Sequence, residues 1–422
     1  MKTIDEPTKF ENSTPATYRK CVNPVHDGNP FIEALESHTQ EDVARKLEWL
    51  PPYDPKDQKR PLPEKLELLD NLPLFFQPLP RHLSLTQSIE SLMRTGYAGR
   101  CPRWGRPDPN IPQNNLVSGA LFGLSGLGKT ATVTRILRLH PQWIRHTKYR
   151  GKEVECDQIA WLKVETPHNG SERSVCTSIF KQLDMLLGTN YSDIHGGSRS
   201  TTSHMIPALN DLVRQYNLGL LVIDEIQNLS MKAGEKGSNE MVAFMVRMIN
   251  DLNVPVLMIG TSNSVKPGQE FDSLDSSFRV RRRATGLADP VWAPLRHEKD
   301  EWRIFSKSLW RFQYLPEKVK LNKRLDLEFF TLTQGVPDLA VKLFHNAQIH
   351  ALRGKKELTP EFLSQVSQRM LRANEKDLNS LRLAKSQQEL FAKQQNMDLG
   401  LPEGDKPDLE LLGDEESTAN SA

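Results

Sequence analysis

Short runs of consecutive apolar residues alternate with amphipathic stretches through the middle of the chain. Largely apolar segments predict β-strands at residues 116–122, 158–164, 218–223 and 254–260, and the third of these is a continuous apolar run. Apolar residues at helical spacing predict helices between them, at residues 131–139, 173–187 and 240–252. A strand that is apolar at every position is typical of a parallel sheet covered on both faces. The alternation therefore predicts an α/β fold, a parallel sheet with flanking helices.

The regions on either side of this pattern differ from it. Residues 1–80 are polar and hold eight prolines between Pro51 and Pro80, with short predicted helices at 31–35 and 41–50. They predict an irregular N-terminal arm, extended or ordered by a partner. Four helical stretches predict a C-terminal lid, at residues 298–312, 325–333, 338–352 and 360–371. We divide the chain into an adaptor arm (1–80), an α/β core (81–289), a helical lid (290–375) and a helical, then acidic and disordered, tail (376–422).

A glycine-rich segment follows the first predicted core strand. Residues 123–130 read Gly-Leu-Ser-Gly-Leu-Gly-Lys-Thr, the full G-x-x-x-x-G-K-T pattern between a strand and a helix. Glycines let successive backbone N–H groups point at phosphate oxygens, and the helix N-terminus adds its positive dipole end. We expect Lys129 to reach the β- and γ-phosphates and Thr130 to bind Mg²⁺. The predicted nucleotide-binding residues of this segment are Gly123, Ser125, Gly126, Leu127, Gly128, Lys129, Thr130 and Ala131.

Two adjacent carboxylates follow the apolar run 218–223. At the carboxyl end of a buried parallel strand they would lie in the crevice where ligands bind in open α/β sheets. Asp224 fits the residue that holds Mg²⁺, mostly through its waters, and Glu225 fits the group that orients or deprotonates the attacking water. We expect the nucleotide to be ATP, because residues 322–325 (Asn-Lys-Arg-Leu) lack the aspartate of an Asn-Lys-x-Asp guanine reader.

Two further features after the carboxylates match AAA+ ATPases. Thr261 ends the strand at 254–260, which is the sensor-1 position, where a polar residue contacts the γ-phosphate or the lytic water. Residues 278–283 (Phe-Arg-Val-Arg-Arg-Arg) follow where such proteins carry an arginine finger, which stabilises charge in a neighbouring subunit's site. Arg281 and Arg282 are the first choices, with Arg279 and Arg283 left open, and a solvated basic patch is the alternative. A finger supplied in trans implies a homo-oligomer.

Composition changes this picture little. A chain of 422 residues with a formal net charge of +2 has no global basic field, so any surface for DNA must be local. Its four cysteines are far apart without a C-x-x-C pair, which argues against a zinc site and against a disulfide scaffold. No apolar stretch approaches the length of a membrane span, and the N-terminus has no hydrophobic signal core. We expect a soluble intracellular protein with no membrane partner.

Several short motifs outside the nucleotide site occur together in one order. They are 29–35 (Asn-Pro-Phe-Ile-Glu-Ala-Leu), 76–79 (Phe-Gln-Pro-Leu), 96–100 (Gly-Tyr-Ala-Gly-Arg), 167–171 (Pro-His-Asn-Gly-Ser), 218–229 (Leu-Gly-Leu-Leu-Val-Ile-Asp-Glu-Ile-Gln-Asn-Leu), 335–338 (Gly-Val-Pro-Asp) and 341–344 (Val-Lys-Leu-Phe). In these motifs the chain, from residue 29 to about residue 371, resembles the TnsC family of AAA+ regulators from Tn-seven-like transposons. The resemblance implies an AAA+ P-loop ATPase core with a helical lid.

The resemblance also implies partners and a mechanism. An ATP-bound homo-oligomer, a ring or a helical filament, would assemble on double-stranded DNA without sequence preference. A target-selection protein of the TniQ or TnsD type would recruit it, it would recruit the transposase subunits, and ATP hydrolysis would disassemble it. The setting would be the bacterial cytoplasm, with nucleoid association on DNA. Relatives bind DNA through the loop after the second core strand and the loop after the paired carboxylates, so the candidate DNA-binding residues are His168, Asn169, Ser171, Arg173, Lys232 and Lys236.

Departures and alternatives remain. Asp338 stands where many AAA+ lids place a sensor-2 arginine, with Lys342 one helical turn on. No acidic triad with transposase spacing occurs, so we assign no nuclease activity. Another AAA+ DNA remodeller, of the helicase-loader or origin-binding type, would share the core motifs. A nucleotide-gated scaffold with little turnover is the alternative from a different class.

Overall fold

In the computed structural model, the described residues are 13–102, 105, 117–168, 170–197, 200–229, 248, 251–261, 286–375 and 378–383. The described residues up to 373 form one compact unit, and those from 374 onward belong to a second, which holds a helical stretch at 378–383. Some predictions concern residues outside this description: Asn169, Lys232, Lys236, Arg279, Arg281, Arg282, Arg283, most of the helix at 240–252 and most of the tail.

The strands form two separate sheets. In chain order they are β1 (Thr14–Pro15), β2 (Gly119–Gly123), β3 (Trp143–Tyr149), β4 (Lys152–Ile159), β5 (Trp161–Glu165), β6 (Leu220–Asp224), β7 (Val256–Thr261) and β8 (Val291–Trp292). The larger sheet has the order β5-β6-β7-β2-β8, and every pairing in it is parallel. β6 and β2 are buried at every position, as their apolar sequences predict.

The register of the larger sheet brings the predicted site together at one edge. Gly123, the last residue of β2, pairs with Thr261, the last residue of β7. Glu165 pairs with Asp224 at the ends of β5 and β6. Because the strands are parallel, all four carboxyl ends lie at the same edge of the sheet, where the loops that follow them can share one ligand.

The smaller sheet was not predicted, and it divides one predicted strand in two. β1 pairs parallel with β3, and β3 pairs antiparallel with β4 through a turn at Arg150 and Gly151. The predicted strand 158–164 includes the end of β4 and then, after Ala160, most of β5 of the larger sheet. The backbone N–H of Ala160 donates to the Gln142 carbonyl at 2.9 Å, just beyond the paired ends of β3 and β4. One predicted strand therefore serves two sheets, which periodicity alone does not reveal.

Helices cover the sheets and build the C-terminal part. They are α1 (Pro30–Glu33), α2 (Gln40–Leu47), α3 (Leu62–Leu69), α4 (Pro80–Ala98), α5 (Lys129–Leu137), α6 (Glu172–Leu187), α7 (Tyr191–His195), α8 (Thr202–Gln215), α9 (Asp300–Trp310), α10 (Lys323–Thr333), α11 (Pro337–Gly354) and α12 (Pro360–Met370). Apolar residues of α6 and α8 pack against one face of β5 and β6. Together they form one buried core cluster. The helices predicted from residue 298 onward agree with α9 to α12 within two residues at each end.

The N-terminal region packs on the C-terminal helices, which differs from an arm that is extended or ordered only by a partner. Leu69, Leu72, Phe75 and Leu79 lie in the same buried cluster as the aromatic side chains of α9 to α11. The Tyr314 hydroxyl donates to the Pro52 carbonyl at 3.1 Å across the same contact. Prolines lie in the first turns of α3 and α4, where the missing N–H has no helical partner to lose, and the apolar residues between them bury their side chains. The proposed domain bounds remain a prediction.

Among the described residues, no helix combines the length and the apolar character needed to cross a membrane.

Candidate nucleotide-binding site

The glycine-rich loop lies between β2 and α5, as the sequence predicts. Gly126 and Gly128 have positive φ angles of +83° and +82°, a left-handed conformation that favours glycine. The loop borders a cavity of about 330 Å³ at the carboxyl edge of the larger sheet. The cavity is lined by Ser125, Gly126, Gly128, Lys129, Thr130, Ala131, Asp224, Glu225, Ile259, Gly260, Thr261 and Asp338. Its size and its backbone curvature are those of a phosphate-binding pocket.

Lys129 is the first residue of α5 and is nearly buried. Its Nζ donates to the carbonyls of Gly123 at 2.9 Å and Leu124 at 2.7 Å, which engages two of its three N–H donors. Burial lowers the pKa of Lys129, and the charges of Glu225 and Asp224 partly oppose that shift. The ammonium group is therefore fixed by the loop itself, beside the two carboxylates.

Three side chains converge next to Lys129. The Thr130 hydroxyl donates to Asp224 Oδ1 at 3.2 Å, and Lys163 Nζ lies 3.0 Å from Asp224 Oδ2. Oxygen donors from a hydroxyl and a carboxylate are the ligands that Mg²⁺ prefers. The residues present therefore fit Mg²⁺, with Thr130 and Asp224 as its protein ligands. Sequence reasoning missed Lys163, which lies on the neighbouring strand β5.

Glu225 adopts a positive φ of 54° directly after β6, which turns the chain away from the strand. Its backbone N–H donates to Asp224 Oδ1 at 2.9 Å. Its carboxylate accepts a hydrogen bond from the Gln227 amide, and the Gln227 Oε1 atom accepts the backbone N–H of Thr261 at 3.0 Å. Gln227 thus joins the proposed catalytic carboxylate to the sensor-1 residue. No sequence signal identified Gln227, because the bond depends on the turn after β6.

The lid reaches the loop through its own N-terminal turn. The Asp338 backbone N–H, near the start of α11, donates to the Gly126 carbonyl at 3.1 Å. A side chain on Gly335 would place its Cβ 2.0 Å from the Leu295 carbonyl oxygen, and its φ is +71°, so this close turn requires glycine. Lys342 forms an ion pair with Asp338 at 2.7 Å and is more than half exposed. The lid therefore presents Asp338, not a cation, to the cavity.

Most of the residues predicted for the nucleotide site line this cavity. Gly123 and Leu127 are exceptions: Gly123 contributes its carbonyl to Lys129, and the Leu127 side chain is buried. Their predicted roles remain predictions. Ile259 and Gly260 are lining residues that the sequence did not identify, and Asp338, which the sequence placed at the sensor-2 position, also lines the cavity.

The candidate DNA-binding residues that the structure describes lie around the start of α6. His168 and Ser171 are exposed, and Ser171 caps α6 by accepting the Ser174 N–H. Arg173 instead points its guanidinium at the loop after α7, where it donates to the carbonyl of Gly197 at 2.5 Å. In this arrangement the Arg173 side chain holds the loop after α7. To contact a DNA phosphate, the guanidinium would have to turn away from that loop.

Comparison with known proteins places the site in a family. Residues 117–266 match the family model described as "AAA domain", a segment that spans the glycine-rich loop, the paired carboxylates and Thr261. The chain therefore contains an AAA domain in this segment. Its fold is the AAA+ P-loop ATPase fold, with a parallel sheet, flanking helices and a helical C-terminal part.

Two solved structures are similar to the chain at low sequence identity. One is the Walker-type ATPase PABY2304 of Pyrococcus abyssi, with 13% identity, a TM-score of 0.38, and coverage of 64% of this chain and 71% of that one. Another is Cdc6p of Pyrobaculum aerophilum, with 13% identity, a TM-score of 0.38, and coverage of 66% of this chain and 64% of that one. A search among curated proteins found no match.

Proposed function

We propose that the protein hydrolyses ATP and uses the nucleotide as a switch for assembly on double-stranded DNA during transposition. The observation that supports ATP hydrolysis is the arrangement in one cavity of Lys129, the Thr130–Asp224 pair and Glu225. A lysine fixed beside the cavity and oxygen ligands for a metal serve phosphate binding. The carboxylate of Glu225, at the same sheet edge, is available to a water molecule as a general base.

Each residue of this chain has a distinct part in the proposed hydrolysis. Lys129 binds the β- and γ-phosphates, and the loop N–H groups of residues 126–130 bind the remaining phosphate oxygens. When bound, Mg²⁺ would neutralise charge on the phosphates, with Thr130 and Asp224 as its protein ligands. Glu225 orients the attacking water and accepts its proton. Thr261 hydrogen-bonds the same water or the γ-phosphate.

The finer proposal, regulation of transposition, is supported by the motifs shared with the TnsC family. Two of these motifs contact each other in the structure. The Asn29 side-chain amide donates to the Tyr97 carbonyl at 2.8 Å, and the Phe31 and Tyr97 rings pack at 5.4 Å. The motifs therefore build one joint between the N-terminal region and α4. We propose that the protein oligomerises on DNA, connects a target-selection protein to the transposase subunits in the bacterial cytoplasm, and disassembles on hydrolysis.

The experiment compares the wild-type chain with Lys129→Ala and a matched control, Lys181→Ala, an exposed lysine of α6. We expect Lys129→Ala to lose ATP binding and ATP-dependent DNA binding together, because it removes a charge-assisted contact to the phosphates. Lys181→Ala should keep both. DNA binding that persists in Lys129→Ala without any response to ATP would contradict the switch. A wild-type chain that binds ATP and DNA but fails to stimulate a transposase from the same locus would contradict the finer proposal alone.

A further inference from the structure

Three titratable side chains from distant parts of the chain meet inside the protein, away from the nucleotide cavity. His38 lies between α1 and α2, Glu90 is in α4, and His140 follows the end of α5. Their side chains are 4%, 8% and 1% exposed. One ligand atom from each lies within 4.8 Å of the others. Burying two imidazoles and a carboxylate is costly unless something satisfies their polar atoms.

The distances within the cluster are too long for hydrogen bonds. His38 Nδ1 and His140 Nε2 each lie 3.6 Å from the same atom, Glu90 Oε1. At that separation no hydrogen bond forms. Among the described residues, His38 Nδ1, Glu90 Oε1 and both ring nitrogens of His140 have no hydrogen-bond partner. Two ligands of one tetrahedral zinc ion, each bonded at about 2.1 Å, are about 3.4 Å apart. Both distances from the histidine nitrogens to Glu90 Oε1 are close to that value.

The groups around the cluster prepare these atoms as ligands. The His38 Nε2 atom is 3.0 Å from Glu36 Oε2, which places the ring proton on Nε2 and leaves the Nδ1 lone pair facing Glu90. Arg94 Nη1 lies 3.2 Å from Glu90 Oε2, so the other carboxylate oxygen faces the two histidines.

We propose that His38, Glu90 and His140 form a binding site for a single Zn²⁺ ion, with a fourth position open to water. Two imidazole nitrogens and a carboxylate are a ligand set typical of zinc. The wide spacing of the cysteines argues against a zinc site built from cysteine ligands that are close together in sequence. Histidine and glutamate ligands separated by 52 and 50 residues leave no such spacing signal.

The position of the site gives the ion a structural consequence. It joins the N-terminal region, through His38, to α4 and to the residues that follow α5, the helix that begins with Lys129. Bound zinc would therefore clamp the N-terminal region to the ATPase core. The positive charge of Arg94 weakens the attraction for a dication, so affinity should be moderate. The competing arrangement is a metal-free network of the two histidines, Glu90 and Arg94.

The test uses the full-length chain without a histidine tag, freed of metal and then dialysed against Zn²⁺ in excess Mg²⁺, which occupies Asp224. We expect about one Zn²⁺ per chain by elemental analysis, since the three ligands converge on one position. Co²⁺ should replace it and give the visible absorption bands of a tetrahedral site. Zn²⁺ should also raise the melting temperature of the wild-type chain.

Two variants and a control decide the assignment. Glu90→Gln keeps the size of the side chain and should weaken Zn²⁺ binding at least about tenfold. His38→Gln removes the ligand that the N-terminal region supplies and should weaken Zn²⁺ binding to the same extent. The matched control is His350→Ala, an exposed histidine of α11, which should bind as the wild type does. Circular dichroism and ATP binding report whether each variant is folded. No Zn²⁺ or Co²⁺ bound by the wild-type chain, or unchanged binding in both folded cluster variants, would overturn the site in favour of the metal-free network.

Discussion

At the scale of single residues, the proposed phosphate-binding lysine and the proposed catalytic carboxylate are held in place by different kinds of hydrogen bond. Lys129 is held by carbonyls of its own loop, whereas Glu225 depends on Gln227, which in turn depends on Thr261 from another strand. Hydrogen bonds within the loop come with the sequence motif itself. The bonds that hold Glu225 come from the packing of β6 against β7. Binding and hydrolysis can therefore be separated by substitution.

The first prediction concerns Glu225→Gln. The change keeps the shape of the side chain but removes the base, so we expect kcat to fall by about 10²- to 10⁴-fold while the Kd for ATP stays within about twofold. Steady-state ATPase rates and equilibrium ATP binding measure the two effects. The control is Glu165→Gln, which makes the same change at the last residue of β5, the register partner of Asp224 at the same sheet edge, and should keep normal turnover. Normal hydrolysis by Glu225→Gln would remove Glu225 from the mechanism.

The second prediction concerns Gln227→Leu, which removes the link from Glu225 to the Thr261 backbone. We expect kcat to fall by about tenfold with little change in ATP affinity, because the carboxylate loses its orientation and phosphate binding is untouched. Gln227→Glu should be slower still, since a second carboxylate repels Glu225. Gln215→Leu, at the exposed end of α8, is the matched control. A parallel loss of ATP affinity and kcat would indicate a structural role instead.

The sequence predicted the site residues that belong to recognisable motifs, and it missed side chains that only the packing of the fold brings beside those motifs. The loop 123–130 and the pair Asp224-Glu225 are local patterns with fixed chemistry. Lys163 contacts Asp224 from the neighbouring strand β5, and no spacing in the sequence relates it to the loop. Asp338 was placed at the sensor-2 position, but its backbone contact with Gly126 depends on how the C-terminal helices pack. Three-dimensional neighbours of this kind need the sheet order before they can be identified.

At the scale of elements, the same distinction applies. The strands at 220–224 and 256–261 were predictable because they are apolar up to the polar residues that end them, Asp224 and Thr261. The lid helices were predictable because their apolar residues recur at helical spacing over long stretches. The hairpin of β3 and β4 was not predicted. Its exposed positions carry charged residues such as Lys148 and Glu153, and its apolar end merges with β5. Helix α4 was also missing from the prediction, although it supplies Glu90 and Tyr97.

Helix α4 supports a prediction about pH. His82 in its first turn is buried against Phe76 and Trp292, and its Nδ1 atom accepts the Leu79 backbone N–H at 3.1 Å. Burial, with the nearby charge of Arg81, lowers the pKa of His82 to about 3. Above about pH 6.5 the ring is neutral in both the folded and the unfolded chain, so it adds no pH dependence. Below that, only the unfolded chain takes up the proton, and the free energy of unfolding falls.

The loss attributable to His82 is about 2 kcal/mol at about pH 5. Chemical denaturation across this pH range measures it. His82→Gln keeps a side-chain acceptor at the same position in the helix but does not titrate there, so its stability should fall less steeply as the pH drops. Other buried histidines contribute equally to both proteins and cancel in the comparison. Identical pH profiles for the two chains would contradict a neutral, buried His82.

At the scale of the whole molecule, the N-terminal region is part of the folded unit and not a free appendage. It contributes Leu69 and Phe75 to the core of the C-terminal helices, and His38 to the cluster beside α4 and α5. The proline-rich composition predicted an extended arm. The prediction failed because composition does not report which apolar residues pack against residues far along the chain. The arginine-rich segment at 278–283 concerns interactions between chains and not packing within one chain.

The last prediction concerns those arginines, with Arg281 and Arg282 first. A finger that acts in trans belongs to one subunit and serves the site of the next. Arg281→Ala or Arg282→Ala should therefore lose hydrolysis alone but regain some of it when mixed with Glu225→Gln. In a random equal mixture, about one interface in four combines an intact Glu225 with an intact arginine, so activity should return to about a quarter of the wild-type rate. ATPase assays on the mixtures, with oligomer formation checked by light scattering, measure this.

Arginines that bind DNA would behave differently in the same experiment. Each Arg→Ala change would reduce the salt dependence of DNA binding by about one phosphate contact, and mixing with Glu225→Gln would restore nothing. Arg279→Ala and Arg283→Ala, tested in the same way, separate the finger from the DNA-binding arginines of the segment, because only the finger variant should show complementation. If no arginine complements while oligomers form normally, the segment contacts DNA, and the transition state in this ATPase is stabilised by residues of its own subunit.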